Sequence, residues 1–251
     1  MKIIVAIKQV PQRDSSLRPA ASGLWVDEAN LGYEINEPDA YALEEALQLR
    51  EKHGGEVIVV CAGPERAQQS IREALAKGAD RGIHVETDAV LDTLQTATML
   101  ADALRDETAD LILTGLQSDD LGYGQTGVVL AELLDFPSST IIMQVEIDVD
   151  TLRVRRELED GWFQNIEMPL PAVLTIQSGL NKLRYATLMG IKKAKSKEIR
   201  VVQPAAPAAS TAVIEKVYAP QKSKQAQIFT GDAKTAATQL VEKLKFEARV
   251  L

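Results

Sequence analysis

Two stretches of the chain combine residue types and spacings that could do chemistry. The first is GLQSDDLGYGQTG, Gly115 to Gly127. Gly122, Gly124 and Gly127 allow close backbone approach, and Thr126 offers a hydroxyl where a helix starts. Free N–H groups and the positive end of a helix make such a place a phosphate seat. The pattern is neither a Walker loop, which ends Gly-Lys-Ser/Thr, nor a GxGxxG directly after the first strand. A nucleotide seat and an ordinary flexible connection both fit. The second stretch is GLNKLRYATLMGIKKAKSK, Gly179 to Lys197. Leu188 and Met189 precede Lys192, Lys193, Lys195 and Lys197, a density of charge that belongs at a surface. An exposed Leu on a basic platform can anchor an acidic partner with an apolar pocket. A solvated helix with its apolar stripe turned inward fits equally.

Other reactive side chains are sparse. His53 and His84 have no second ligand at metal spacing, so no metal site is expected. Asp119-Asp120 could hold magnesium beside phosphates, or simply be solvated. Cys61 is the sole cysteine and reads as a small apolar strand residue. No serine sits in a nucleophile elbow. Trp25 and Trp162 suit the edges of β structure, and Arg155-Arg156 suits a solvated strand face. No catalytic residues are assigned.

These stretches need elements to position them. Ile3 to Ile7, Val57 to Cys61, Gly82 to Val85, Leu111 to Thr114 and Pro171 to Ile176 read as strands, with Leu24-Trp25-Val26 as an outer one. Between them fall helical patterns: one starting at Asn36-Glu37-Pro38-Asp39, one opened by Pro64 and closed by Gly78, one over Leu91 to Leu104, one over Thr126 to Leu134. This alternation predicts an α/β fold, a doubly wound, mostly parallel sheet with right-handed crossovers. Val145 to Glu167 alternates around Asp148-Val149-Asp150 and Asp160-Gly161, which predicts antiparallel hairpin additions. Residues 1–202 form the expected domain and 203–231, opening with QPAAPAAST, a linker. Residues 232–251 form a C-terminal helical extension capped by Asp232, which either folds back or packs on a partner subunit.

In such sheets ligands bind at the carboxyl ends of strands, where crossover direction switches. Four loops qualify: after Ala6, at Asn36 to Asp39, at Ala62-Gly63-Pro64, and from Gly115 to Gly127. At 251 residues the chain can bury a sizeable core, and 45% apolar with 25% charged residues is ordinary for a globular protein. A net charge of −8 argues against nucleic-acid partners. No apolar run approaches the ~20 residues needed to span a membrane. The opening MKIIVAIK reads as a strand rather than a leader, and the lone cysteine suits a reducing compartment.

Asn181, Arg184 to Leu188 and Lys192 to Lys195 closely resemble the partner-recognition segment of the electron transfer flavoprotein β subunit family. The likeness extends over nearly the whole chain, including Lys77 to Gly82, Arg155 to Leu158 and Pro171 to Thr175. It implies an adenine nucleotide alpha hydrolase-like fold and a redox carrier rather than an enzyme. It implies structural AMP, with Gln117, Ser118, Asp119, Asp120, Gly122, Gly124, Gln125, Thr126 and Gly127 as its phosphate loop. Ala6, Asn36, Glu37, Pro38, Asp39 and Ala62 fall where the family contacts adenosine. Tyr185, Leu188, Met189, Ile191, Lys192 and Lys193 would dock partners. The implied partners are an α subunit sharing FAD, flavoprotein dehydrogenases of acyl-CoA or amine type, and an acceptor such as a quinone oxidoreductase. The implied setting is cytoplasmic, or the mitochondrial matrix in a eukaryote. Members that bifurcate electrons through a second FAD tend to read Asp-Gly-Asp-Thr-Ala-Gln-Val-Gly-Pro in this loop, and Gly124 to Val128 departs from that. AMP is therefore favoured, with a second FAD, or a stand-alone nucleotide sensor or hydrolase, as alternatives. Where other β subunits turn aromatics toward the flavin, this chain has Arg13 and Pro38.

Overall fold

The computed structural model describes residues 1–89, 91–148, 151–204, 209–220 and 226–251. Its centre is a nine-stranded sheet. In chain order the strands are β1 (Lys2–Ala6), β4 (Glu56–Gly63), β5 (Arg81–Glu86), β6 (Leu111–Gly115), β7 (Ser138–Asp148), β8 (Thr151–Glu157), β9 (Phe163–Pro169), β10 (Ala172–Ile176) and β11 (Ile199–Val202). Two further strands, β2 (Gln9–Pro11) and β3 (Tyr33–Ile35), pair antiparallel as a small ribbon beside it. The spatial order is β11-β5-β4-β1-β6-β10-β7-β8-β9, parallel from β11 through β7 and antiparallel over the β7–β8–β9 hairpins.

The apolar runs are continuous because both faces of the sheet are covered. Ile3, Val5, Val57, Val59, Leu111 and Leu113 point to one layer, packed with Leu43 and Leu47 of α1 (Glu37–His53) and Ile71 and Leu75 of α2 (Ala67–Lys77). Ile4, Ile58, Val60 and Ile112 point to the other, packed with Leu100 and Leu104 of α3 (Thr93–Leu104) and Leu130 of α4 (Thr126–Leu134). Period-two alternation along each strand thus feeds two cores. From β1 the chain winds to β4 and β5 beneath α1 and α2, then returns through α3 to β6 on the other side of β1. The direction switches between β1 and β6, so their carboxyl ends frame a crevice.

The hairpins continue the sheet. β7 pairs with β10, then shifts register between Ile142 and Gln144, beside Ile141 with its φ of 59°. A β-branched residue in that region marks a bend built into the strand. The turn residues Val149 and Asp150, and Ala205 to Ala208 of the QPAAPAAST stretch, lie outside the described residues.

Two local expectations need correction, and one strand was missed. Leu24-Trp25-Val26 is no strand, since only an isolated bridge joins Pro19 to Val26. Pro64 does not begin a helix: it makes a turn, its carbonyl accepting from Ala67 N at 2.8 Å, and α2 starts at Ala67. β11 was not anticipated, and it places the stretch after the lysines on the sheet edge beside β5. Farther on, Asp232 caps α6 (Ala233–Glu242) by accepting from Lys234 N and Thr235 N, both at 3.0 Å. That helix buries no residue, and Leu240, Val241 and Phe246 remain exposed.

Candidate functional site

The crevice is assembled from four chain segments. Ala6 ends β1 between Val60 and Thr114. Asn36 sits at the start of α1, almost fully buried, yet its side chain does not cap that helix. It reaches the loop after β6 instead: Nδ2 donates to the Gln117 carbonyl at 2.9 Å, and Oδ1 accepts from Asp119 N at 2.8 Å. Glu37 N donates to Asp119 Oδ2 at 3.4 Å, so loop and helix start cap one another.

Asp39, 5% exposed, ties the two framing strands together. Its Oδ2 accepts from Lys8 N at 2.7 Å and its Oδ1 from Gly115 N at 2.8 Å. Burial pushes its carboxyl up to about 7, against the pull of these donors. Any side chain at position 115 would collide with the Asp39 carboxylate, which is why a glycine ends β6. Gly127 is close-packed too: a Cβ there would stand 2.6 Å from Thr114 Oγ1 and Thr175 Cγ2. This contact draws the start of α4 down against β6 and β10. Gly122 and Gly124 turn the loop with φ of 65° and 63°. No side chain caps α4 at Gln125, leaving its first N–H groups directed into the crevice loop beside the half-buried Thr126.

Lys8 is the residue the sequence reading missed. Its Nζ stands 2.6 Å from Asp120 Oδ1 and 3.3 Å from Ser118 Oγ. Burial alone would raise the Asp120 carboxyl, but Lys8 and the Ser118 and Leu121 donors hold it below its usual value. Arg13 pairs with Glu37 and stands 3.5 Å from Asp119 Oδ2. The acidic pair that would repel a phosphate is thereby offset by two cations. The arrangement can accommodate a phosphate-bearing nucleotide at the bare start of α4. Ala62 lies apart from this network, near the end of β4 across β1 from the loop. Gly122, Tyr123 and Gln125 are exposed.

The second stretch forms a platform on the layer of α1 and α2. Asn181 Nδ2 donates to the Tyr41 carbonyl at 3.2 Å and to Glu45 Oε2 at 3.1 Å. Arg184 grips α1 with Nε at 2.8 Å and Nη2 at 3.0 Å from the two oxygens of buried Glu44, and Nη1 at 2.6 Å from Glu51. Thr187 then caps α5 (Leu188–Ala194), accepting from Gly190 N at 3.0 Å. Gly190 lies so close to the Ala76 carbonyl that no side chain fits. At the far end Arg72 of α2 donates to the carbonyls of Ala194 at 2.7 Å and Lys197 at 2.6 Å. On this fixed seat Tyr185 is 93% exposed and Leu188 88%, with Met189 and Ile191 exposed beside them and Lys192 and Lys193 following. The inward-turned stripe is thus excluded for Leu188. A clamped backbone presenting apolar side chains to water has the character of a contact surface.

Of the remaining reactive groups, His53 is exposed, whereas Cys61 and His84 are enclosed. Burial pushes the Cys61 thiol up to about 12. His84 is buried with Nε2 2.9 Å from the Gly63 carbonyl. Among the described residues no cluster of His, Cys, Asp and Glu is placed to hold a metal, and no helix is long and apolar enough to cross a membrane.

Residues 23–207 match the electron transfer flavoprotein domain. The chain belongs to the electron transfer flavoprotein family. It is 37% identical to the electron transfer flavoprotein subunit beta of Methylophilus methylotrophus, over 91% of this chain and 92% of that protein. With the human protein of the same name it shares 41% identity over 81% of this chain and 82% of that one. The Dictyostelium discoideum protein of that name is 39% identical over 81% and 82%. The matched residues include the platform and, of the crevice, Asn36 to Asp39, Ala62 and the loop from Gly115 to Gly127.

Proposed function

We propose that this chain is the β-type subunit of a heterodimeric electron transfer flavoprotein, an electron carrier rather than an enzyme. It pairs with an α subunit that holds most of the FAD. The flavin supplies the redox chemistry, and this chain supplies binding and position. AMP occupies the crevice as a structural ligand, its phosphate at the bare start of α4 beside Thr126. The uncapped start of α4, the turn glycines and the offset Asp119–Asp120 pair all fit that group. The platform around Leu188 docks flavoprotein dehydrogenases of acyl-CoA or amine type, and electrons leave for a quinone-linked or similar acceptor.

The observation that carries the reading is the 88% exposure of Leu188 on a helix clamped at both ends. Clamping spends the ordering entropy before the partner arrives, so a fast, short-lived contact still has a defined shape. The test is rapid mixing of the complex with a reduced partner dehydrogenase. Leu188→Ala is expected to slow electron uptake at subsaturating dehydrogenase about tenfold or more, the scale of a contact hot spot. Heterodimer stability should not change. Unaltered uptake would remove the docking assignment.

A further inference from the structure

The segment after β11 is not free. Asp92, 8% exposed, divides its carboxylate between two tasks. Oδ1 accepts from Gln95 N at 2.8 Å, capping α3. Oδ2 faces the other way and accepts from Thr211 N at 2.5 Å, Thr211 Oγ1 at 3.0 Å and Ala212 N at 3.1 Å, with the Ser210 hydroxyl also 3.1 Å away. Five residues on, Val217 N donates to the Gly23 carbonyl at 2.7 Å. Ile214 and Val217 are half-buried, whereas Val213 and Tyr218 are exposed, so the segment lies on the body with one side inward.

The two anchors lie on different faces of the sheet. Asp92 starts α3, which covers one core, after the carboxyl end of β5. Gly23 belongs to the excursion between β2 and β3, held beside the start of α2 by Arg66–Glu28 at 2.8 Å. α2 covers the other core. Strand order puts β4 between β5 and β1. Five extended residues reach no more than about 18 Å, so the chain must cross the carboxyl edge directly, at the β4 side of the crevice where Ala62 lies.

We propose that residues 210–217 form a strap closing the β4 side of the nucleotide crevice, with Asp92 as its latch, so that nucleotide enters and leaves when the latch opens. The strap rests on the crevice reading above. Asp92 is a positioning residue that touches no ligand. A gate of this kind alters entry and exit together and leaves the equilibrium between them in place.

The test measures exchange of radiolabelled AMP on the intact heterodimer. Asp92→Asn suits it, because Asn still caps a helix. Its amide nitrogen, however, then meets the Thr211 and Ala212 donors with another donor. Both release and uptake of AMP should quicken about tenfold or more, the scale of losing hydrogen bonds to a charged acceptor. Affinity should stay within about twofold, and the Thr211 and Ala212 amides should exchange hydrogen faster. Thr211→Ala, made from the arm side without touching α3, should act in the same direction and less. Wild-type exchange rates in Asp92→Asn, unchanged amide protection, or a change in affinity without a change in uptake would each overturn the strap. A wild-type complex that binds no AMP overturns both strap and crevice. AMP retention with no effect of the variants overturns the strap alone.

Discussion

The crevice and the platform are both built on α1, and they use it in opposite ways. At its start, Asn36 and Asp39 turn inward and spend their side chains on the backbone of neighbouring loops. One turn farther on and beyond, Glu44, Glu45 and Glu51 reach out to hold Asn181 and Arg184 of the platform. The crevice is polar and cross-linked, its side chains facing one another. The platform is locked underneath and apolar on top. A small ligand that stays needs fixed N–H groups at fixed distances, whereas a large partner that leaves needs a rigid, shallow, greasy surface. One helix transmits the rigidity of the core to both.

On the crevice side the largest effect is expected from pH. Asp39 titrates near 3.8 in the unfolded chain and at about 7 when folded. Between those values the unfolded chain has lost the proton that the folded one keeps, so stability falls as pH rises from about 4 to about 7. Carboxylates held low, such as Asp120 and Glu51, act in the other direction and only below about pH 4. Urea unfolding across this range should show the decline, and Asp39→Asn should flatten it. A flat wild-type profile would mean that Asp39 is ionised throughout.

The platform's counterpart is Arg184→Met. It leaves the buried Glu44 without its cation, at a cost of about 2–3 kcal/mol, reduced from the fully buried case because Arg184 is partly exposed. Docking should weaken as well, although Arg184 is not in the proposed contact surface. Denaturation combined with dehydrogenase titration would separate the two, and loss of stability with unchanged docking would show that α5 holds its shape without α1. Thr126→Val is the mildest change. It removes one hydroxyl at nearly constant volume and should weaken AMP by about 1 kcal/mol, several-fold in affinity. Undiminished AMP binding would move the phosphate away from the start of α4.

Much of this was legible in the chain. Buried parallel strands announce themselves as apolar runs, and β1, β4, β6 and β10 lie over the runs that open at Ile3, Val57, Leu111 and Pro171, each within one residue of its start. α4 starts at Thr126 and ends at Leu134, as its periodicity requires. β11 was hidden because Ile-Arg-Val-Val at a sheet edge is only half-covered and follows a lysine run, so its pattern is short and weak. The excess strand at Leu24 to Val26 has the opposite cause, an apolar triplet whose pairing stops at a single bridge to Pro19. Lys8 carries no local signature at all. Its role appears only once the direction switch brings the end of β1 beside Asp120. The same holds for Asn36, which reads as a helix cap in one dimension and is a cross-link between loops in three.

The most direct measurement is a count of cofactors in the co-purified heterodimer after the protein is denatured and the extract separated. One FAD and one AMP per complex is the expected result. Two flavins without AMP, or a colourless assembly of this chain with itself, would contradict it.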